Sequence, residues 1–192
     1  MILKKKSLII LITFFSSSFS IEKFFQFKLA DIDNQVVSFS GFINNKATVI
    51  VFLLSDCPAS QSYTLTLNKL SKKYNTNKIS FVGVFPGRYS TDDELKKFKR
   101  DYKITFPLLK DPDMILAKNL NAKAGPSCFL INDNGITVYK GRIDDWLYAV
   151  GKKRQIVTEN NLEDAIKSVI NNKPIKISET IPIGCILEYE AK

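Results

Sequence analysis

The sequence predicts an α/β fold: a central mixed β-sheet flanked by helices, with an N-terminal β-hairpin extension. Three features carry that expectation. Val49 to Leu54 is a fully apolar run, rich in Val and too short for an ordinary helix, so Thr48 to Leu54 reads as a strand buried on both faces. After Pro58, the residues Tyr63, Leu67, Leu70 and Tyr74 recur at steps of four, three and four, which is a helical stripe. Further on, Ser127 to Ile131 and Ile136 to Tyr139 are apolar runs joined by Asn132-Asp133-Asn134-Gly135, a strong signal for an antiparallel hairpin. Buried parallel strands need helices on both faces, and this order of elements supplies them.

Residues 1–20 have the three parts of a secretory signal peptide: the basic Lys4-Lys5-Lys6, an apolar stretch from Leu8 to Phe15, and the small-residue end Ser16-Ser17-Ser18-Phe19-Ser20. The apolar stretch is well short of the ~20 residues that span a bilayer, so a retained anchor is the weaker reading. Cleavage is expected after Ser20. The expectation is an exported protein, periplasmic or secreted, with no stable membrane insertion after cleavage. No cysteine lies near that point to take a lipid.

Residues 21–172 read as one domain. Phe24 to Leu29 and Val36 to Phe39 flank the turn-forming Asp31-Ile32-Asp33-Asn34 and predict the N-terminal hairpin. The buried strand and the helix after Pro58 follow, then a strand from Lys78 to Phe85 that stops at Pro86-Gly87. Thr91-Asp92-Asp93-Glu94 is a capping box opening a helix to about Tyr102. Phe106 to Leu109 is a short apolar stretch, and Asp111-Pro112-Asp113 is expected to start a small helix reaching about Leu120. After the second hairpin, Gly141 to Thr158 reads as a charged loop. The helix from about Asn161 to Asn171 shows Leu162, Ala165, Ile166, Val169 and Ile170 on one face. Residues 173–192 form a C-terminal tail with Pro174, Pro182 and Cys185.

Composition narrows the chemistry. The chain has no histidine, which removes Cys-His dyads, Ser-His-Asp triads and His-ligated metal sites together. Loss of Lys4, Lys5 and Lys6 with the signal peptide lowers the formal charge from +9 to +6. The remaining lysines are scattered, and the densest cluster, Lys152-Lys153-Arg154, reads as a solvated loop, so no nucleic-acid partner is expected. The three cysteines, Cys57, Cys128 and Cys185, include no Cys-x-x-Cys pair, which disfavours zinc and favours a redox role. No metal or cofactor is expected.

Strand–helix–strand–helix, then an antiparallel hairpin and a final helix, is the element order of the thioredoxin fold. Cys57 falls at the end of the first core strand, and Gly125-Pro126 just before the hairpin. From about Phe24 to Ile186 the chain resembles the redoxin group of the alkyl hydroperoxide reductase/thiol-specific antioxidant (AhpC/TSA) family. It is similar to an exported subfamily through Cys57-Pro58-Ala59-Ser60, Gly141-Arg142-Ile143-Asp144-Asp145 and Gly184-Cys185. The resemblance implies a thioredoxin-like fold and thiol-based oxidoreductase activity.

Cys57 is the first candidate nucleophile. Pro58 suits the first turn of a helix, so Cys57 sits where a buried strand hands over to a helix N-terminus, whose N–H groups and dipole favour a thiolate. Asp56 opposes that ionisation. Otherwise Cys57 is a small apolar residue closing a strand. Ser60 stands where a dithiol thioredoxin has its second cysteine; its hydroxyl can donate to a thiolate but cannot form a disulfide. Turnover then needs a distant cysteine or an external thiol. Cys185 is the candidate for the distant one, on a tail expected to be mobile enough to reach; the competing reading is a cysteine that packs or pairs between molecules. Cys128, inside Cys128-Phe129-Leu130-Ile131, reads as a core residue. Pro126 matches the proline that the thioredoxin fold holds in cis, with an ordinary trans turn as the alternative. Arg142 is a candidate to stabilise a thiolate or an anion, and a salt bridge with Asp144 or Asp145 is at least as good a reading.

Three functions fit. The favoured one is an exported thiol–disulfide oxidoreductase acting on a protein disulfide with an external thiol reductant. The second is a peroxiredoxin-like peroxidase with a peroxide substrate. Such enzymes typically carry Pro-x-x-x-Thr-x-x-Cys, and here the Thr and Pro positions hold Leu54 and Ile50. The third is a non-catalytic thioredoxin-fold binding module.

Overall fold

The computed structural model describes residues 21–149 and 151–189. A seven-stranded mixed sheet is its centre. The strands are β1 (Lys28–Asp31), β2 (Val36–Ser38), β3 (Ala47–Phe52), β4 (Ile79–Pro86), β5 (Leu108–Asp111), β7 (Ser127–Asn132) and β8 (Thr137–Gly141), in the order β2-β1-β5-β4-β3-β7-β8. β5, β4 and β3 run parallel, and every other neighbouring pair is antiparallel. The β1–β2 hairpin joins through β1 to β5 and so extends the sheet.

β3 lies inside the sheet and is buried along its whole length. Side chains alternate across a strand. Val49, Val51 and Leu53 therefore enter one core with Tyr63, Leu67, Leu70 and Tyr74 of α2 (Pro58–Tyr74) and Leu162, Ala165 and Ile166 of α5 (Asn161–Ile170). Ile50, Phe52 and Leu54 enter the opposite core with Leu116 and Ala117 of α4 (Ile115–Leu120), Phe24 and Phe25 of α1 (Ile21–Phe25), and Cys57. Each side chain of this size taken out of water contributes roughly 1.5–3 kcal/mol. Two filled faces explain why the strand shows no polar alternation.

The helix starts differ in kind. α2 begins with Pro58, whose missing N–H would have had no partner in the first turn. α3 (Asp92–Asp101) has the capping box: the Thr91 hydroxyl accepts from the Glu94 N–H, and the Glu94 carboxylate accepts from the Thr91 N–H at 2.8 Å. α4 begins at Ile115, later than Asp111-Pro112-Asp113 implies. Met114 is in the left-handed conformation, and the buried Asp111 carboxylate reaches forward to accept from the N–H groups of Ile115 and Ala117.

Two other boundaries depart from expectation. Phe24 and Phe25 are consecutive and both buried, which suits a helical turn better than a half-buried strand, so the first hairpin strand starts only at Lys28. The charged segment after Gly141 is not all loop: β9 (Leu147–Ala149) pairs with β10 (Lys152–Lys153). Lysines on β10 conceal the strand from an apolar-pattern reading, and Lys153 lies over the Trp146 ring at 4.5 Å. β6 (Ala124–Gly125) and β11 (Cys185–Ile186) form a separate two-stranded sheet. The expected signal peptide, residues 1–20, lies outside the described residues. Among the described residues no helix is long and apolar enough to cross a membrane.

Candidate functional site

The site is built at the C-terminal end of β3. The chain leaves the sheet after Phe52, turns with the Cys57 N–H donating to the Leu54 carbonyl, and enters α2 at Pro58. Cys57 is the N-cap of α2, gives the first turn no side-chain hydrogen bond, and has no acidic residue in the turn that follows it. Its side chain is 2% exposed. Asp56, whose charge opposes ionisation of Cys57, points to solvent.

Cys57 is bonded to Cys185. The two Cα atoms are 6.1 Å apart across 128 residues of sequence. The tail reaches this point along a defined path. Lys140 of β8 exchanges backbone hydrogen bonds with Ser178 and Thr180, and the Thr180 hydroxyl accepts from the Arg142 N–H at 3.0 Å. Gly141 has φ +139°, and a Cβ on it would collide with the Thr180 backbone, so the tail needs glycine there. Farther along, β11 lies antiparallel to β6 with Cys185 opposite Gly125 and Ile186 opposite Ala124. The Leu187 N–H donates to the Lys123 carbonyl at 3.0 Å, and the Leu187 side chain is buried in the core that holds Cys57. Tyr89 donates to the Glu188 carbonyl at 2.7 Å, while the Tyr189 hydroxyl donates to the Ala122 carbonyl. The tail thus arrives as an ordered strap.

Gly125 lies against the Cys57 sulfur, Pro126 follows it in the chain, and Ser60 stands in the first turn of α2. The Gly125–Pro126 peptide is cis. Cys57 Sγ lies 3.3 Å from the Gly125 carbonyl oxygen; a thiol there can donate to that oxygen, whereas a thiolate is repelled by it. Ser60 Oγ is buried and accepts from the Leu54 N–H at 3.1 Å, tying the first turn of α2 to the end of β3. Arg142 is not brought to the sulfurs. Its guanidinium donates to Glu159 at 2.6 Å and to the Asn161 side chain at 2.8 Å, and neither Asp144 nor Asp145 is its partner. Asp144 accepts from the Tyr63 hydroxyl at 2.6 Å, and burial raises its carboxyl above the usual range despite that bond. Asp145 accepts from the Thr158 hydroxyl and from the N–H groups of Thr158 and Glu159, and pairs with Arg154.

Cys128 is fully buried, and its thiol donates toward the carbonyls of Gly141 and Arg142. Burial, then the charge of Asp144, pushes that thiol well above its ordinary range, so it stays a protonated core residue. One nearby residue gave no signal in the sequence. Ser127 Oγ is buried and has no hydrogen-bond partner among the described residues. Its position opposite Phe52 places it on the sheet face that Cys57 packs against.

Residues 21–140 match the AhpC/TSA family. The chain belongs to that family. Cys57, Ser60 and Pro126 fall inside the AhpC/TSA match, whereas Arg142 and Cys185 lie beyond it. No curated protein matches the chain in sequence. Among solved structures, a hypothetical protein from Sinorhizobium meliloti is 24% identical over 86% of this chain and 92% of its own, with a TM-score of 0.78. A secreted Mycobacterium tuberculosis disulfide oxidoreductase homologous to E. coli DsbE is 15% identical over 79% of this chain and 98% of its own, with a TM-score of 0.56. The thioredoxin domain of a thiol-disulfide oxidoreductase from Bacteroides vulgatus is 16% identical over 74% of this chain and 92% of its own, with a TM-score of 0.58. These likenesses establish the fold of this AhpC/TSA-family chain as thioredoxin-like.

Proposed function

We propose that the protein is an exported thiol–disulfide oxidoreductase whose exchanging pair is Cys57 and Cys185. The observation that carries this reading is the bond between a cysteine at a helix N-terminus and a cysteine on a two-residue edge strand. A bond that served only as a staple has no need of either placement. A cysteine at a helix N-terminus is a good leaving sulfur, because the dipole favours the thiolate it leaves as.

The two sulfurs differ in access. Cys57 is buried, whereas Cys185 is half-buried beside the exposed Ile186. In the oxidised protein an external thiolate therefore attacks Cys185 Sγ. A new disulfide forms between that thiol and Cys185, the Cys57–Cys185 bond breaks, and the electron pair stays on Cys57 Sγ. A second external thiolate then attacks the incoming sulfur, forms the external disulfide and releases Cys185 as thiolate. The reduced protein passes its electrons to a partner disulfide through the other cysteine: with the tail lifted, Cys57 attacks, one partner sulfur leaves as thiolate, and Cys185 resolves the mixed disulfide on Cys57. Every step moves one electron pair between sulfurs and needs no cofactor. Ser60 holds the Cys57 turn in shape, Pro126 and Gly125 form the wall beside the sulfur, and Arg142 acts by ordering the segment from Gly141 to Asn161.

Export agrees with a disulfide that must survive outside a reducing compartment. N-terminal sequencing of protein recovered from outside the cytoplasm should begin at Ile21. Activity is tested by reduction of a disulfide-bonded protein with dithiothreitol as electron source. Wild type should exceed the uncatalysed rate, Cys57→Ser should abolish the excess, and reduced Cys185→Ser, freed of dithiothreitol before the substrate is added, should trap a mixed disulfide on Cys57. Hydrogen peroxide consumption measured on the same samples separates the peroxidase alternative, against which Leu54 and Ile50 count. If neither activity exceeds the Cys57→Ser control, the enzyme reading fails and a binding module replaces it.

A further inference from the structure

We infer that the groove holding residues 184–187 is a peptide-binding groove that accepts a partner segment of the form Gly-Cys-x-Leu, extended and antiparallel to β6. This rests on the exchange reading and names the class of partner that it leaves open. In the oxidised protein the occupant is the chain's own tail, and its fit shows what the groove requires.

β6 pairs with no strand other than β11 among the described residues. Ala124 and Gly125 are buried, so lifting the tail leaves backbone donors and acceptors there without partners. Such an edge is a template for another extended chain. Register then decides where its cysteine falls. A cysteine opposite Gly125 is within bonding reach of Cys57, as Cys185 is.

The residue before that cysteine is sterically fixed. A Cβ on Gly184 would stand 2.2 Å from the Gly125 carbonyl oxygen, 2.7 Å from its carbon and 2.9 Å from Pro126 N. All three are backbone atoms in a buried segment, with no flexible side chain to yield. The residue after the cysteine is free, since Ile186 is 78% exposed. The next one is selected for size, because Leu187 is 3% exposed in the core cluster with Cys57 and Leu54.

Exchange through this groove is balanced. The Cys57 thiolate attacks the partner cysteine of a disulfide, forms a bond to it, and the partner's other sulfur leaves as thiolate. Cys185 then attacks Cys57 Sγ and the partner cysteine leaves as thiolate. Tail and partner need the same strand position, so the returning tail also displaces the product.

The test uses the full chain with Cys185→Ser and peptides copying residues 181–189, each with its cysteine carried as a mixed disulfide with 5-thio-2-nitrobenzoate. Release of the coloured thiolate reports attack by Cys57. Alanine in place of the glycine should slow release about tenfold or more, as expected for overpacking against a rigid wall. Serine in place of the leucine should slow it about tenfold through lost burial, and serine at the isoleucine position should leave it unchanged. Adding Gly184→Ala to the protein weakens the competing tail and should speed the parent peptide. Equal rates for all peptides, or no effect of Gly184→Ala, overturn the groove while leaving exchange intact. If no peptide reacts faster with this protein than with Cys57→Ser, the exchange reading itself falls.

Discussion

At Cys57 two local fields oppose each other. The N-terminus of α2 favours a thiolate, while the Gly125 carbonyl 3.3 Å from Sγ favours a thiol. The disulfide removes the conflict by leaving neither proton nor charge on the sulfur. Ser60 works at one remove from this chemistry. Its hydroxyl satisfies the buried Leu54 N–H, so Ser60→Ala should destabilise the fold by about 1–3 kcal/mol in urea denaturation. Gly184→Ala should act differently, costing roughly 1–3 kcal/mol in the oxidised protein and much less in the reduced one, where the tail can move off. Parallel denaturation curves with and without dithiothreitol check the difference. The strand–Cys–Pro junction was legible in the sequence because each of its signals is local. The need for glycine at residue 184 was not, because the atoms that exclude a Cβ come from residues 125 and 126, far away in the chain.

Among the elements, α2 and α3 declared themselves through a stripe and a capping box, both short-range patterns. Removing the cap with Thr91→Ala should cost about 1 kcal/mol of stability, read as a lowered urea midpoint. The segment from Gly141 to Asn161 was harder to read, since its order comes from side-chain bonds to Asp145 and a lysine-bearing two-residue strand. Burial alone would raise the Asp145 carboxyl, but the Thr158 and Glu159 donors and Arg154 outweigh it and bring the pKa down to about 2. The unfolded carboxyl titrates near about 3.9. The folded chain thus binds this proton less readily than the unfolded chain. The stability gained is fully present above about pH 4 and is lost as the pH falls toward 2. Asp145→Asn should therefore cost about 1–3 kcal/mol at neutral pH, and the gap to wild type should close as acid approaches pH 2.

For the whole molecule, the tail joins three regions that the sheet alone leaves separate. It runs along β8, crosses to β6 and the end of α4, and is bonded at Cys185 to the start of α2. Closing a loop of this length should stabilise the folded state by roughly 3–5 kcal/mol relative to the reduced chain, visible as a lower melting temperature on reduction. The thioredoxin-like architecture was legible from element order, whereas Cys185 was a candidate partner for Cys57 beside the reading that it packs or pairs between molecules, and the structure bonds the two. The docked path of the tail was not, because it depends on a two-residue strand, one glycine and two tyrosine hydroxyls contributed by separate parts of the chain. The most direct test of the account is a redox titration of the native protein in glutathione buffers, with alkylation and peptide mapping of all three cysteines. Cys57 and Cys185 should titrate together as one two-electron couple, more oxidising than about −300 mV, while Cys128 stays unreactive until the protein unfolds. A bridge that resists reduction throughout that range, or a bond from Cys185 to anything other than Cys57, would contradict it.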